Sequence, residues 1–173
     1  MSGFNDAFAF VVGAEGGFTA DPADPGNWTG GAVGAGLCRG TKYGISAASF
    51  PTLDIAALGI DAARALYRAN YWRPVGGDGL PAAVALVCFD AAVNQGVGTA
   101  ARLLQHAAGV AADGVVGPVT LAAANAAAPR ALLAEIGAQR ALRYAGDAAF
   151  ARFGLGWCRR LMRVELAAAA LAS

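Results

Sequence analysis

The sequence is poor in charge. Only 14% of its 173 residues are Asp, Glu, Lys or Arg, and they balance to a net charge of +1. A chain so close to neutral is not a strongly basic nucleic-acid binder. Lysine is nearly missing: Lys42 is the only one, and every other basic residue apart from His106 is arginine. That bias reads as genome composition rather than function. His106 is the only histidine, and no Ser or Cys stands in a nucleophile-like motif, which argues against a Ser-His or Cys-His hydrolase. Cysteine is scarce and odd in number. Cys38, Cys88 and Cys158 are far apart and form no C-x-x-C pair, so no metal site is expected and the three read as free thiols of a cytoplasmically made protein. No uncharged run is long enough to cross a bilayer, so no membrane insertion is expected. The apolar stretch from Ala7 to Ala14 follows Asp6 and lacks a basic leader; a helix is expected there rather than a signal peptide. The closing LAAAALAS reads as a helix end. No fixed-period repeat is present.

What the chain has in abundance is alanine, the best helix former, within a hydrophobic fraction of 57%. The fold expected is all-α or mainly α. The length suits a single domain, 1–173, with a core large enough to need no staples. The first helix is expected over residues 4–14, with Asn5 or Asp6 at its start, one apolar face of Phe4, Phe8, Val11 and Val12, and a stop at Gly16 and Gly17. Phe18 to Gly44 is dense in Gly, Pro, Asp, Asn and Thr, an irregular segment with a small hairpin after the first helix. Loops of that length in a compact domain are usually functional or disordered, and Trp28, Leu37 and Tyr43 as anchors favour an ordered one. Asp61 is expected to cap AARALYRANYW. AAVALVCFDAAVNQ, opened by Leu80-Pro81, is apolar nearly all round and should be buried. AARLLQHAAG follows from Gly98 or Thr99. Pro118 and Pro129 each open a further helix, the second running to about Phe150, and a last helix is expected from Trp157 after Gly156. Between Gln139 and Arg163 six arginines face only Asp147, a pattern that fits a solvated helix face or a surface for an acidic polymer.

Chemistry concentrates in "AEGGFTADPADPGNW", residues 14–28. Glu15 closes a greasy helix. The partial negative charge of a helix C-terminus and the apolar surroundings both disfavour an ionised carboxylate, so Glu15 should hold its proton as a general acid must. Gly16 and Gly17 leave room for a bulky substrate beside it. Asp24 lies in a Pro-bracketed turn, polar and solvated, and should stay ionised. Two carboxyls in contrasting environments are what glycoside hydrolysis uses. The blander reading keeps Glu15 as a helix-end residue bonded to backbone and Asp21 and Asp24 as turn formers.

The motifs EGGF, DPADPG and TKYGIS, in this order, resemble the N-terminal signature of glycoside hydrolase family 108, peptidoglycan muramidases of lysozyme-like helical fold, many of them phage endolysins. The resemblance places the catalytic acid at Glu15, a second carboxylate at Asp24 and a threonine near the attacking water at Thr41. It carries Gly16, Gly17, Phe18, Asp21, Pro25 and Gly26 with the first motif, and Tyr43, Gly44 and Ile45 with the last. The chain departs from the pattern at Asn27, where D-P-G-G has its second glycine, and WTGGAVGAGLCRG then lengthens the loop before Thr41. Thr29 is the rival for the threonine role, and Asp21 for the second carboxylate. Trp28 either stacks on a sugar face or pins the loop. Further along, FDAAVNQG, LLQ and DGVVGPVT resemble a peptidoglycan-binding segment, marked by Asn94, Gly96, Gln105, Asp113, Gly114, Gly117, Pro118 and Thr120. Residues 1–80 would form the catalytic motif region and 81–173 a helical peptidoglycan-binding-like region.

The resemblance implies hydrolysis of the β-1,4 bond between N-acetylmuramic acid and N-acetylglucosamine and no cofactor or metal; the residues expected to line the substrate are Gly16, Gly17, Trp28, Tyr43 and Asn94. The partner is the bacterial glycan strand, met by a monomer that reaches the wall after phage-driven lysis or by dedicated export. Two rivals remain open: a lytic transglycosylase working through Glu15 alone, and a wall-binding or tail module without activity. Tyr67, Tyr71 and Trp72 read as core packing or a sugar-stacking wall.

Overall fold

The computed structural model describes residues 3–13 and 17–172. Seven helices lie among them, with one small sheet: α1 Phe4–Val12, β1 Thr41–Lys42, β2 Ile45–Ser46, α2 Ile60–Tyr67, α3 Ala82–Gln95, α4 Val97–Ala107, α5 Pro118–Ala126, α6 Pro129–Ala145 and α7 Phe150–Ala169. The fold is mainly α, as composition led us to expect. The chain divides into two compact units, Phe8–Tyr67 and the combination of Met1–Ala7 with Arg68–Ser173.

The helical unit is built around α3. Ala83 to Ala92 are all buried, because this helix is apolar on every face and packs against α4, α6 and α7. Phe89 meets Phe4 and Trp72 edge-on, with ring centroids 5.8 and 5.7 Å away. A π-helical turn at Arg68–Trp72 buries Trp72, whose indole N–H donates to Asp78 Oδ1 at 2.8 Å. That hydrogen bond, ahead of the neighbouring Arg68, holds the Asp78 carboxyl below its usual range. The aromatic cluster after Asp61 is therefore core at Tyr67 and Trp72, while Tyr71 is half-buried.

Asp90 is the polar centre of this core. It is almost fully buried on α3, and a charge there needs partners. Arg140 of α6 donates to its Oδ2 at 2.6 Å, and Arg160 of α7 to its Oδ1 at 2.9 Å. Arg140 has no exposed surface and also reaches Gln95 Oε1 and Tyr144 Oη, each at 3.3 Å. Burial pulls the Arg140 pKa down, but the charge and hydrogen bond of Asp90 outweigh it and the net shift is upward. Burial also lifts Glu165 to about 7, against the pull of Arg140. The arginine-rich stretch is thus not one solvated face: two of its members, buried Arg140 and partly exposed Arg160, are counterions to a buried carboxylate that lies fifty residues or more upstream.

Two helix boundaries differ from expectation. α6 ends at Ala145 and α7 starts at Phe150, so the break falls at Gly146–Ala149 rather than before Trp157. Asp147 makes it, accepting the Ala149 N–H at 2.8 Å in a turn that ends one helix and starts the next. Gly154 and Gly156 continue inside α7. At Gly154 the Phe150 ring covers the site where a Cβ would stand, 2.7 Å away, so this glycine serves packing. α1 likewise ends early, at Val12, because Gly13 turns left-handed with φ +72°.

The DGVVGPVT segment is a scaffold. Gln105, buried on α4, donates from Nε2 to Asp113 Oδ1 at 2.7 Å, Val115 O at 3.0 Å and Thr120 Oγ1 at 3.2 Å, while its Oε1 accepts the Gly114 N–H at 2.9 Å. One amide side chain thus ties the turn to the start of α5. The Val115 N–H on Asp113, followed by Gln105, keeps that carboxyl below its usual range.

Candidate active site

The unit Phe8–Tyr67 is mostly loop; it buries Phe8, Ile45, Ile55, Leu58 and Tyr67, and polar contacts shape the rest. Glu15 and Gly16 lie outside the described residues; Gly17 is exposed at their edge. The expectation of a protonated Glu15 at a helix end falls on those residues.

Asp21 and Asp24 both lie on the surface and both act first as turn formers. Asp21 Oδ1 accepts the Ala23 N–H at 2.9 Å, and Asp24 Oδ1 accepts the Gly26 N–H at 2.8 Å. Asp24 thereby caps a short 3-10 turn, Pro25–Asn27, whose proline at the first position is preset for it. The second oxygen of Asp24 has no partner among the described residues.

The last residue of that turn, Asn27, is the keystone. It has no exposed surface. Its Nδ2 donates to Asp21 O at 2.9 Å, its Oδ1 accepts the Thr41 hydroxyl at 2.7 Å, and its own carbonyl accepts the N–H groups of Arg39 and Gly40 at 2.9 and 3.1 Å. The Thr41 proton is committed to Asn27. The hydroxyl's remaining capacity is therefore as an acceptor, which is what holding a water molecule by its own proton requires. Thr41 and the Asp24 turn become one assembly joined through a single amide. Asn27→Ala should strand the Asp21 carbonyl and release Thr41, lowering stability by about 2 kcal/mol; urea unfolding checks this.

The TKYGIS motif is a two-residue hairpin. Thr41 pairs with Ser46 and Lys42 with Ile45, and the linking residues Tyr43 and Gly44 have φ +52° and +71°. Positive φ at both central positions is the type I′ turn that suits strand twist. Gly44 is needed twice over, since a Cβ there would stand 2.6 Å from the Tyr67 hydroxyl. That hydroxyl donates to Tyr43 O at 2.9 Å, fixing the half-buried Tyr43. Gly40, with φ +81°, lets the strand leading to Thr41 lie against Thr19, whose N–H donates to Thr41 O at 2.9 Å while Thr41 N–H returns to Thr19 O at 2.8 Å.

The inserted stretch forms its own hairpin. Trp28 and Cys38 bridge antiparallel, and Thr29 N–H donates to Leu37 O at 3.0 Å. Thr29 Oγ1 accepts the Leu37 N–H at 2.9 Å, so this hydroxyl braces the neck of the excursion. Trp28 pins the loop through its indole N–H, which donates to Pro22 O at 2.9 Å. In the helical unit, exposed Asn94 sits at the end of α3 with Nδ2 on Asp90 O at 2.7 Å.

Sequence reasoning brings Asp21, Asp24, Trp28 and Thr41 into one small structure and misses Asn27 as its link. The signal was present: an amide side chain placed directly after Pro-Gly in a loop too short of apolar residues to organise itself. No metal-holding group of His, Cys, Asp or Glu occurs among the described residues, and the three cysteines are free thiols.

Comparison with known proteins agrees with this architecture. Residues 8–96 match the family model for glycosyl hydrolase 108, and residues 99–162 that for a predicted peptidoglycan domain. The solved structure of Brucella abortus SagA is 33% identical, covering 98% of this chain and 95% of that one with a TM-score of 0.82. No curated protein matches. With more than half its length under one family model and a solved relative aligned nearly end to end, the chain belongs to glycosyl hydrolase family 108, a glycosidase whose second matched segment directs it to peptidoglycan.

Proposed function

We propose that the enzyme is a muramidase, hydrolysing the β-1,4 bond between N-acetylmuramic acid and N-acetylglucosamine. The observation that carries the reading is the Asn27–Thr41 hydrogen bond, which leaves the threonine hydroxyl as a fixed acceptor beside the turn that Asp24 caps. Glu15, the only glutamate in residues 8–96, protonates the departing sugar oxygen. The free oxygen of Asp24 supports the positive charge that develops at the sugar carbon or takes a proton from water, and Thr41 orients that water. A lytic transglycosylase needs neither Asp24 nor a held water, because the sugar's own hydroxyl attacks; a built acceptor at Thr41 favours hydrolysis over it.

Mass spectrometry of soluble products from purified cell walls tests this. Reducing N-acetylmuramic acid ends are expected. Products ending in 1,6-anhydro sugar would reject hydrolysis, and reducing N-acetylglucosamine ends would reject the bond assignment. In the cell the enzyme would act on the wall after phage-driven lysis or dedicated export.

A further inference from the structure

The far end of α3 and the junction between α6 and α7 enclose a pocket of about 330 Å³ within the helical unit, lined by Asn94, Gln95, Arg143, Tyr144, Asp147 and Trp157. Its polar groups are already oriented by what lies behind them. Gln95 Oε1 is taken by Arg140 Nε and Asn94 Nδ2 by Asp90 O, which leaves a Gln95 amide N–H and the Asn94 carbonyl oxygen for something else. Asp147 spends Oδ1 on the Ala149 N–H and keeps Oδ2. Arg143 is exposed and has no ion-pair or hydrogen-bond partner among the described residues. Its neighbours Arg140 and Arg160 are both committed to Asp90. The remaining wall is aromatic: Trp157 packs on Tyr144 with centroids 5.4 Å apart, and Phe150 and Phe153 support it from α7 at 6.4 and 6.2 Å.

A planar cation, a carboxylate oxygen, one amide donor, one amide acceptor and an aromatic wall could each hydrogen-bond or stack on a sugar, but only a zwitterionic ligand uses both charges as charges, in two charge-assisted pairs. The set matches a short peptide whose side chain is aliphatic and ends in both an ammonium and a carboxylate. Arg143 would take the carboxylate, ideally in a two-pronged pair; Asp147 would take the ammonium; the two amides would meet a peptide unit, and the methylenes would lie on Trp157. Peptidoglycan carries such a residue where its stem peptide contains a diamino dicarboxylic acid. We propose that this pocket binds the zwitterionic side chain of a stem-peptide diamino dicarboxylic acid, so that the helical unit reads the peptide while the other unit handles the glycan. The inference rests on the reading that the enzyme acts on peptidoglycan.

The test uses the free tripeptide L-Ala-γ-D-Glu-meso-diaminopimelate, which has no glycosidic bond, titrated calorimetrically into the full chain. Binding is expected, and at least about 10-fold weaker for the same peptide with its terminal side-chain carboxylate converted to an amide, the loss of one charge-assisted pair. Arg143→Gln should bind the acid as weakly as the wild type binds the amide, and should no longer distinguish them. Arg143 is exposed, so its thermal unfolding should match the wild type; Arg143→Lys, which keeps the charge without the fork, should fall between. Equal binding of acid and amide by the wild type, or discrimination that survives in Arg143→Gln, overturns the proposal. Cleavage of peptide-stripped glycan strands by a chain that does not bind the tripeptide overturns this inference and leaves the muramidase reading standing. Tripeptide binding by a chain that cleaves no glycan sustains the pocket and rejects the muramidase reading.

Discussion

Glu15→Gln is expected to lower wall clearing about 10³-fold, the scale on which a positioned proton donor acts, with little change in KM. Glutamine keeps the shape and loses only the proton, and protonation of the leaving oxygen occurs in the transition state and not on binding. The pH profile supplies a second readout. A general acid works only while protonated, so wild-type activity should fall as pH rises through its pKa, and the residual activity of Glu15→Gln should lack that alkaline limb. The other carboxyl groups of residues 8–67 are less suited: Asp61 pairs with Arg64 at 2.6 Å, and Asp21, Asp24 and Asp54 each accept a local backbone N–H. Walls cleared equally well by both proteins would remove Glu15 from the chemistry and leave Asp24 to be tested as the acid.

Asp90→Ala is the change expected to cost most stability, about 3–5 kcal/mol, out of the roughly 5–15 kcal/mol that holds an ordinary domain together. The loss comes less from two ion pairs than from what they leave behind. Arg140 has no exposed surface and cannot lose its proton, so without Asp90 a guanidinium remains in the core without its paired carboxylate, held only by neutral Gln95 and Tyr144. Gln95 is braced from this same cluster by Arg140 Nε, whereas the Asn94 bond to the Asp90 main-chain carbonyl survives the substitution. A shift of less than 1 kcal/mol in urea unfolding would mean that solvent reaches Arg140 freely. Exposed Asp61, paired only with Arg64 on the surface of α2, is the contrast: its loss should fall within about 1 kcal/mol.

Much of this was legible because the helices announce themselves. α3 is apolar from Ala82 to Val93 but for Asp90, and Pro118 and Pro129 mark their helices from the first position. The expected break at Gly156 failed because glycine has two uses. At Gly154 it makes room for the Phe150 ring inside a continuing helix, and the actual break is set by an Asx turn at Asp147. The arginine-rich stretch misled for a similar reason. Charge counted along one segment cannot see Asp90, which belongs to a different helix and captures two of the six. In the loop unit the motif residues were found one by one, and their connection was not. Asn27 first reads as a departure from a glycine pattern. In the folded chain it is the residue through which Asp21, the Asp24 turn and Thr41 share one geometry, a relation between side chains fourteen positions apart that no local spacing rule encodes.

The neck at Trp28 and Cys38 changes what the lengthened loop means. Everything from Thr29 to Leu37 is closed off above a bridge, while Asn27 and Arg39 join below it. Length added above the neck has no lever arm on Thr41. Lengthening such a loop costs only about 0.6 kcal/mol per doubling. The excursion is thus a mechanically isolated handle: its exposed tip, residues 31–34, can accept a peptide tag or a second wall-targeting domain while the hydrogen bonds beneath it keep their lengths.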